Sequence, residues 1–406
     1  MLLLTKKANK TPWKLILTTE AFSSLTNQFM QILLPWYVLS TTGSVWWTGV
    51  VGFCALLPNI FSSVFGGQVI DKFGRSKTMF VCEVSQLVLI GFIAVLVGVD
   101  RAETWLIGLL VFASSVFDAP GEMARTALSP TFSRYAGEPL SKTSGLIEAM
   151  DGIMSVAGPL LCGAVIAWAG LFSAWVMCAA FCTVIVLLCL LVFTNRKPRV
   201  LKPAVSYRET LAYVRKDKII LESILFTLPT FLLGQSWELI ILPTYIYEHG
   251  FSSLYLGMLG GAFGLGAFIG ALAFASAARR FKFFALLTFN YVGYLLSVLV
   301  LLFPLPKAAV LAATVLCGVP FGAFGAMMIS IILLRTPVEL RGKMLGVFAT
   351  ATYTVESLCV LGVAACIENL GLNFTLCTVA AIFAILILVS LFGREKRDFW
   401  TATATQ

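Results

Sequence analysis

The chain of 406 residues is 59% hydrophobic and 12% charged, with a mean hydropathy of +0.93 and a formal charge of +9. No water-soluble domain can bury that much apolar surface, so composition excludes a soluble globular enzyme and points to a polytopic membrane protein. The apolar runs are continuous and do not alternate, so the spans are helices and not barrel strands.

A span needs about 20 largely apolar residues. On that measure the chain divides into twelve, at 13–39, 46–70, 78–99, 104–128, 142–168, 172–193, 219–246, 253–278, 283–304, 308–334, 343–366 and 372–392. Lys and Arg gather at the N-terminus, in alternate loops and in the tail; only Arg101 and Lys307 of the 29 fall in the other set. This is the positive-inside pattern, and it places both termini in the cytoplasm. The positive charge is therefore a topology signal and predicts no nucleic-acid partner. The first apolar stretch lacks a small-residue cleavage site and is expected to be retained. The ten cysteines form no CxxC pair and His249 stands alone, so the sequence predicts no metal and no cofactor.

In the first span Glu20, Ser24, Asn27 and Gln31 recur at helical spacing and form one polar stripe. Such a stripe cannot face lipid. It either lines a solute path or makes a hydrogen-bonded seam with a neighbouring helix. Gln28 lies off this face and reads as a helix contact.

The loop after the second span reads GQVIDKFGRSK. Gly67, Asp71, Lys72, Gly74 and Arg75 match the Gly-x-x-x-Asp-Arg/Lys-x-Gly-Arg pattern, with Ser76 in the last basic place. Here the chain resembles the major facilitator superfamily. The resemblance implies twelve helices in two parallel six-helix repeats, and a gate at this loop. Asp71 would sit against the start of the eleventh span, which Arg341 opens, and so hold the outward-open state shut on the inside. Gly67 would allow close helix approach and Gly74 the turn. Arg75 needs an anion, for which Asp118 and Glu122 are candidates; these two are also candidate partners of Arg125, which reads as the start of a basic loop. Glu83 and Glu222 read as interfacial.

In the fifth span Gly158, Pro159 and Gly163 resemble the antiporter signature of the same superfamily, with Cys162 where a second glycine is usual. An ordinary packing face would show the same residues. FDAPGEMARTALSP and LSKTSGLIEAMDGIMSVAGP resemble macrolide-efflux and enterobactin-exporter members. A mid-span arginine usual in drug–proton antiporters is missing; Val111 stands near its place, so that coupling scheme does not transfer.

Residues 195–218 divide the spans six and six, giving halves 1–194 and 219–406 around a cytoplasmic linker. Its YRETLAYVRKDK portion has the pattern of a short amphipathic surface helix. ILLPWYV at 32–38 and IILPTYI at 240–246 share an offset of 208, which also lays DKFG over RRFK, and an offset of 207 lays Pro130 over Pro337. These matches predict parallel repeats. The seventh span carries Gln235 and Glu238, the fifth Glu148 and Asp151, and the eleventh Glu356. With Glu20 these carboxylates are candidates for loading a proton. GMLGGAFGLGAFIG lacks nucleotide-loop spacing and reads as close helix packing.

The sequence thus predicts an all-α membrane protein, monomeric in the bacterial inner membrane, that exports an amphipathic solute, drug-like or siderophore, in exchange for H+. An importer or lipid flippase on the same fold, or a sensor that transports nothing, are the alternatives. An enzyme lacks a nucleophile–base pair or a metal set.

Overall fold

The computed structural model describes residues 11–192, 207–277, 283–337 and 340–392. Its helices, in chain order, are α1 (Thr11–Thr42), α2 (Val45–Phe73), α3 (Arg75–Gly98), α4 (Thr104–Ala136), α5 (Leu140–Val192), α6 (Tyr207–Lys216), α7 (Lys218–Ser236), α8 (Leu242–Glu248), α9 (Ser253–Ala277), α10 (Phe283–Leu302), α11 (Lys307–Arg335), α12 (Arg341–Leu370) and α13 (Leu372–Phe392). A π-helical turn, Trp237–Ile241, joins α7 to α8 in one continuous span.

Ten of the described helices are long and apolar enough to cross a membrane. One is α5, whose 53 residues contain a break at Gly170, with φ +84°. Only glycine adopts that backbone without strain, and the break falls between the predicted fifth and sixth spans. The 32-residue α1, which carries the polar stripe, completes the twelve. Gly74 does similar work between α2 and α3, with φ +89°.

The helices α1 to α5 pack on one another, as do α7 to α13. The groups meet where α2 crosses α12, α5 crosses α9, and α1 meets α8. The chain segments of the sequence repeat, 32–38 and 240–246, are both buried and lie at this last contact. The RRFK segment lies outside the described residues. Pro130 does not lie in a loop: α4 runs through it to Ala136, whereas Pro337 follows the end of α11. A bundle tolerates such a proline because neighbouring helices satisfy the freed carbonyl. The extra turns place Arg125 well inside the helix, contrary to its reading as loop.

The end of the bundle where α1 begins carries Lys72 to Lys77, Lys142, Lys216, Lys218 and Arg335 to Lys343, and is called here the basic end. The linker's second part forms α6, which packs on α7 and α12. Tyr213 Oη donates to the Arg335 carbonyl at 2.6 Å, and Arg335 Nε pairs with Asp217 Oδ2 at 3.3 Å. Asp217 also caps α7 through the N–H groups of Ile219 and Ile220. Burial at this seam pushes the Tyr213 phenol up, with Asp217 adding to it and Arg335 opposing.

Candidate functional site

Three charged side chains meet inside the first helix group. Arg125 of α4 is 2% exposed. Its Nε donates to Glu20 Oε2 of α1 at 3.2 Å, its Nη1 to Glu83 Oε1 of α3, and its Nη2 to Ser23 Oγ of α1. Glu83 is thus not interfacial but 1% exposed. Arg125, read from the sequence as the start of a basic loop, is itself a deep basic residue of α4. Two carboxylates share one guanidinium, so the ionised cluster carries a surplus negative charge where charge is costly to bury. Taking up one proton removes that surplus.

The cluster adjoins open space. Gln86, one turn from Glu83 on α3, donates to Asp118 Oδ1 at 2.9 Å. Gln86, Asp118 and Glu122 line a cavity of 260 Å3, together with Asn27, Gln31, Asn59, Gln235 and Tyr353. Gln31 and Gln235 also line a second cavity of 220 Å3. Its walls include Gln28, Phe231, Glu238, Phe263, Phe321 and Glu356. The polar stripe of α1 therefore divides: Glu20 is engaged by Arg125, Ser24 stands beside Asp151, and Asn27 and Gln31 face the cavities. Glu148 is exposed and lines neither cavity. Among the aromatic residues, Phe231 and Phe321 are walls of the second cavity, whereas Phe29 and Phe324 are core.

The end opposite the basic one is closed across the two groups. Glu368 of α12 accepts from the backbone N–H groups of Val45 (2.9 Å) and Trp46 (3.0 Å) of α2 and from Ser44 Oγ (3.2 Å). Trp36 of α1 meets Tyr247 of α8 edge-on, with centroids 6.5 Å apart. At the basic end the motif residues are placed differently from the sequence reading. Asp71 is exposed and makes no hydrogen bond or ion pair among the described residues, and Lys72 is exposed beside Phe73. Arg75 donates to the Ala127 carbonyl at 2.9 Å and not to Asp118 or Glu122. Arg341 Nε donates to the Thr336 carbonyl. The close approach belongs to Gly66, where a methyl group would lie 2.7 Å from Met123 Sδ; Gly67 faces open space.

The Gly158, Pro159, Gly163 face of α5 divides between two neighbours. A Cβ at Gly158 would overlap Gln28 of α1. Gly163 abuts α9, where a Cβ on Gly257 would sit 3.0 Å from Gly163 Cα, and Gly260 lies against Pro159. The glycine run of α9 has a second use: Gly266 and Gly270 touch the backbone of α11 at Val315 and Val319. Missing side chains let helices approach to backbone contact.

A buried charge cluster beside polar cavities, closed at one end of a twelve-span bundle, is an arrangement for moving a solute. A model described as Major Facilitator Superfamily matches residues 16–358. The chain belongs to that family. It is accordingly a multi-pass membrane transporter and not an enzyme. The superfamily includes a relative in Mycolicibacterium fortuitum, the "Multidrug efflux pump Tap", 24% identical over 398 residues and covering 95% of this chain and 97% of the relative. Solved structures agree in fold. A point mutant of the nucleoside transporter NupG aligns with TM-score 0.82 at 13% identity, over 95% of this chain and 100% of that one. A D-xylose-proton symporter aligns with TM-score 0.71 at 13% identity, over 94% of this chain and 97% of that one.

Proposed function

We propose that this superfamily member is a proton-coupled exporter of an amphipathic small molecule, monomeric in a bacterial cytoplasmic membrane with both termini inside. The halves 1–194 and 219–406, joined by 195–218, rock about the cavities. One observation carries the coupling: Arg125 is shared by Glu20 and Glu83, next to cavities of solute size. Removing the surplus charge with one proton changes what the cluster gains from water, so its loading biases which end is open. Gln86 and Asp118 connect the cluster to the solute path. The direction of transport rests on the efflux relatives and on the antiporter-like Gly158, Pro159 and Gly163. The closed end opposite the basic one, with Asp71 unpaired, corresponds to an inward-facing state.

Cells expressing the protein and loaded with rhodamine 6G should extrude the dye faster than controls, and a protonophore should abolish the difference. Glu20→Gln should reduce energised efflux while leaving the amount of folded protein unchanged. Efflux that persists without a proton gradient, or that Glu20→Gln leaves at full rate, would overturn the coupling.

A further inference from the structure

We infer that the smaller cavity is a recognition site for an organic cation, held by Glu238 and Glu356 against an aromatic wall. Resting on the exporter reading, this names its substrate class. Both carboxylates line the 220 Å3 cavity and lie within each other's field. No Lys, Arg or His is among the described residues lining either cavity. The buried guanidinium of the first helix group, Arg125, is already committed to Glu20, Glu83 and Ser23. Once ionised, Glu238 and Glu356 carry negative charge that no lining side chain matches, and a positively charged guest supplies the match.

A second feature, independent of the acids, points the same way. Tyr294 of α10 is 3% exposed, and its hydroxyl makes no hydrogen bond with the described residues. That hydroxyl reaches the cavity wall, 3.5 Å from where a Cβ on Gly234 would stand, and lies in the field of both carboxylates. The Tyr294 ring is 6.3 Å from Phe321, and Phe321 is 5.3 Å from Phe263. Asn290, one turn along α10, is 1% exposed and also unpartnered. Aromatic faces beside carboxylates suit an ammonium or phosphonium group with an apolar body. Glu238 is presented by the π-helical turn, a backbone form frequent at functional sites.

The test is equilibrium binding of radiolabelled tetraphenylphosphonium to the purified full-length protein in detergent, with radiolabelled tetraphenylborate, of the same shape and opposite charge, measured in a separate sample because the two ions pair with each other. Tetraphenylphosphonium should bind, and tetraphenylborate should not. Glu238→Gln with Glu356→Gln should weaken binding about tenfold or more. Tyr294→Phe, which keeps the ring, should weaken it several-fold, and provides the test should the double variant fail to fold. Equal binding of both ions, no binding of the cation, or unchanged binding in the variants would overturn the site. No gradient is involved, so cation binding without coupled flux would count against the exporter reading and leave the site standing.

A separate observation carries a second inference. The geometry points to Glu368 as a latch whose release opens the end opposite the basic one. Its carboxylate caps the first N–H groups of α2 from the far end of α12, joining the two helix groups. The arrangement is the reverse of the one the sequence motif implies for Asp71, at the other end of α2, and the start of α12. Only one of the two is engaged here. A charged cap on a helix start is stabilising, so the contact favours the present state. Spin labels at Val99 and Leu305, in a background lacking exposed cysteines, would report the separation of the groups at this end. Glu368→Ala should raise the open population about tenfold. An unchanged distance distribution in a folded variant would overturn the latch.

Discussion

Arg125, itself buried, makes three hydrogen bonds, and two of them hold carboxylates. Arg125→Gln would leave both acids buried without a counter-charge. Losing one partner of a buried pair costs about 3–5 kcal/mol. Thermal unfolding in detergent should therefore show a large loss of stability for Arg125→Gln and a smaller one for Glu83→Gln, which relieves the surplus charge. A variant as stable as the parent would show that the guanidinium does not hold the cluster. The cluster was partly legible in the sequence. Glu20 is the tenth residue of α1, Glu83 the ninth of α3, and Arg125 the twelfth from the end of α4, so their depths agree. The stripe exposed Glu20 to view. Arg125 was hidden because Pro130 and the basic residues beyond it resembled the end of a helix, when α4 in fact continues for almost two more turns past Pro130.

At the scale of elements, the seams between helices are written in glycine. Spacing alone assigned the run at 257–270 to close packing, and the backbone contacts with α5 and α11 bear this out. Spacing did not say which glycine of a pair does the work, as Gly66 and Gly67 show. Gly257→Ala would press a methyl group onto the backbone of α5, whereas a Cβ at Gly325 meets nothing within 4 Å. Gly257→Ala should lower the unfolding temperature and the transport rate. Gly325→Ala should be neutral or stabilising by about 0.5–1 kcal/mol, since alanine loses less freedom on folding. Equal tolerance of both would deny that the α5–α9 approach needs bare backbone. The π-helical turn at Glu238 left no trace in the sequence, because a one-residue change of winding does not alter an apolar run.

For the whole molecule, the span count, the break in α5 and the superfamily were all legible, because hydropathy and a loop motif depend on local residues. Closure at one end was not, since it depends on contacts between residues hundreds of positions apart, such as Glu368 with Val45. An alternating structure also requires that the basic end close in turn. Asp71→Asn should slow cycling, measured as dye efflux per folded molecule, without changing which solutes compete; an altered competition profile would place Asp71 in recognition and not in gating. In the proposed cycle, outward solute movement draws a proton inward through the Arg125 cluster. This coupling is tested most directly in everted vesicles holding an acid interior, by adding a panel of amphipathic compounds and following the pH gradient. Permanently cationic members should dissipate the gradient with the parent protein and fail to do so with Glu20→Gln. Dissipation that Glu20→Gln leaves intact, or solute movement with no change in the gradient, would contradict it.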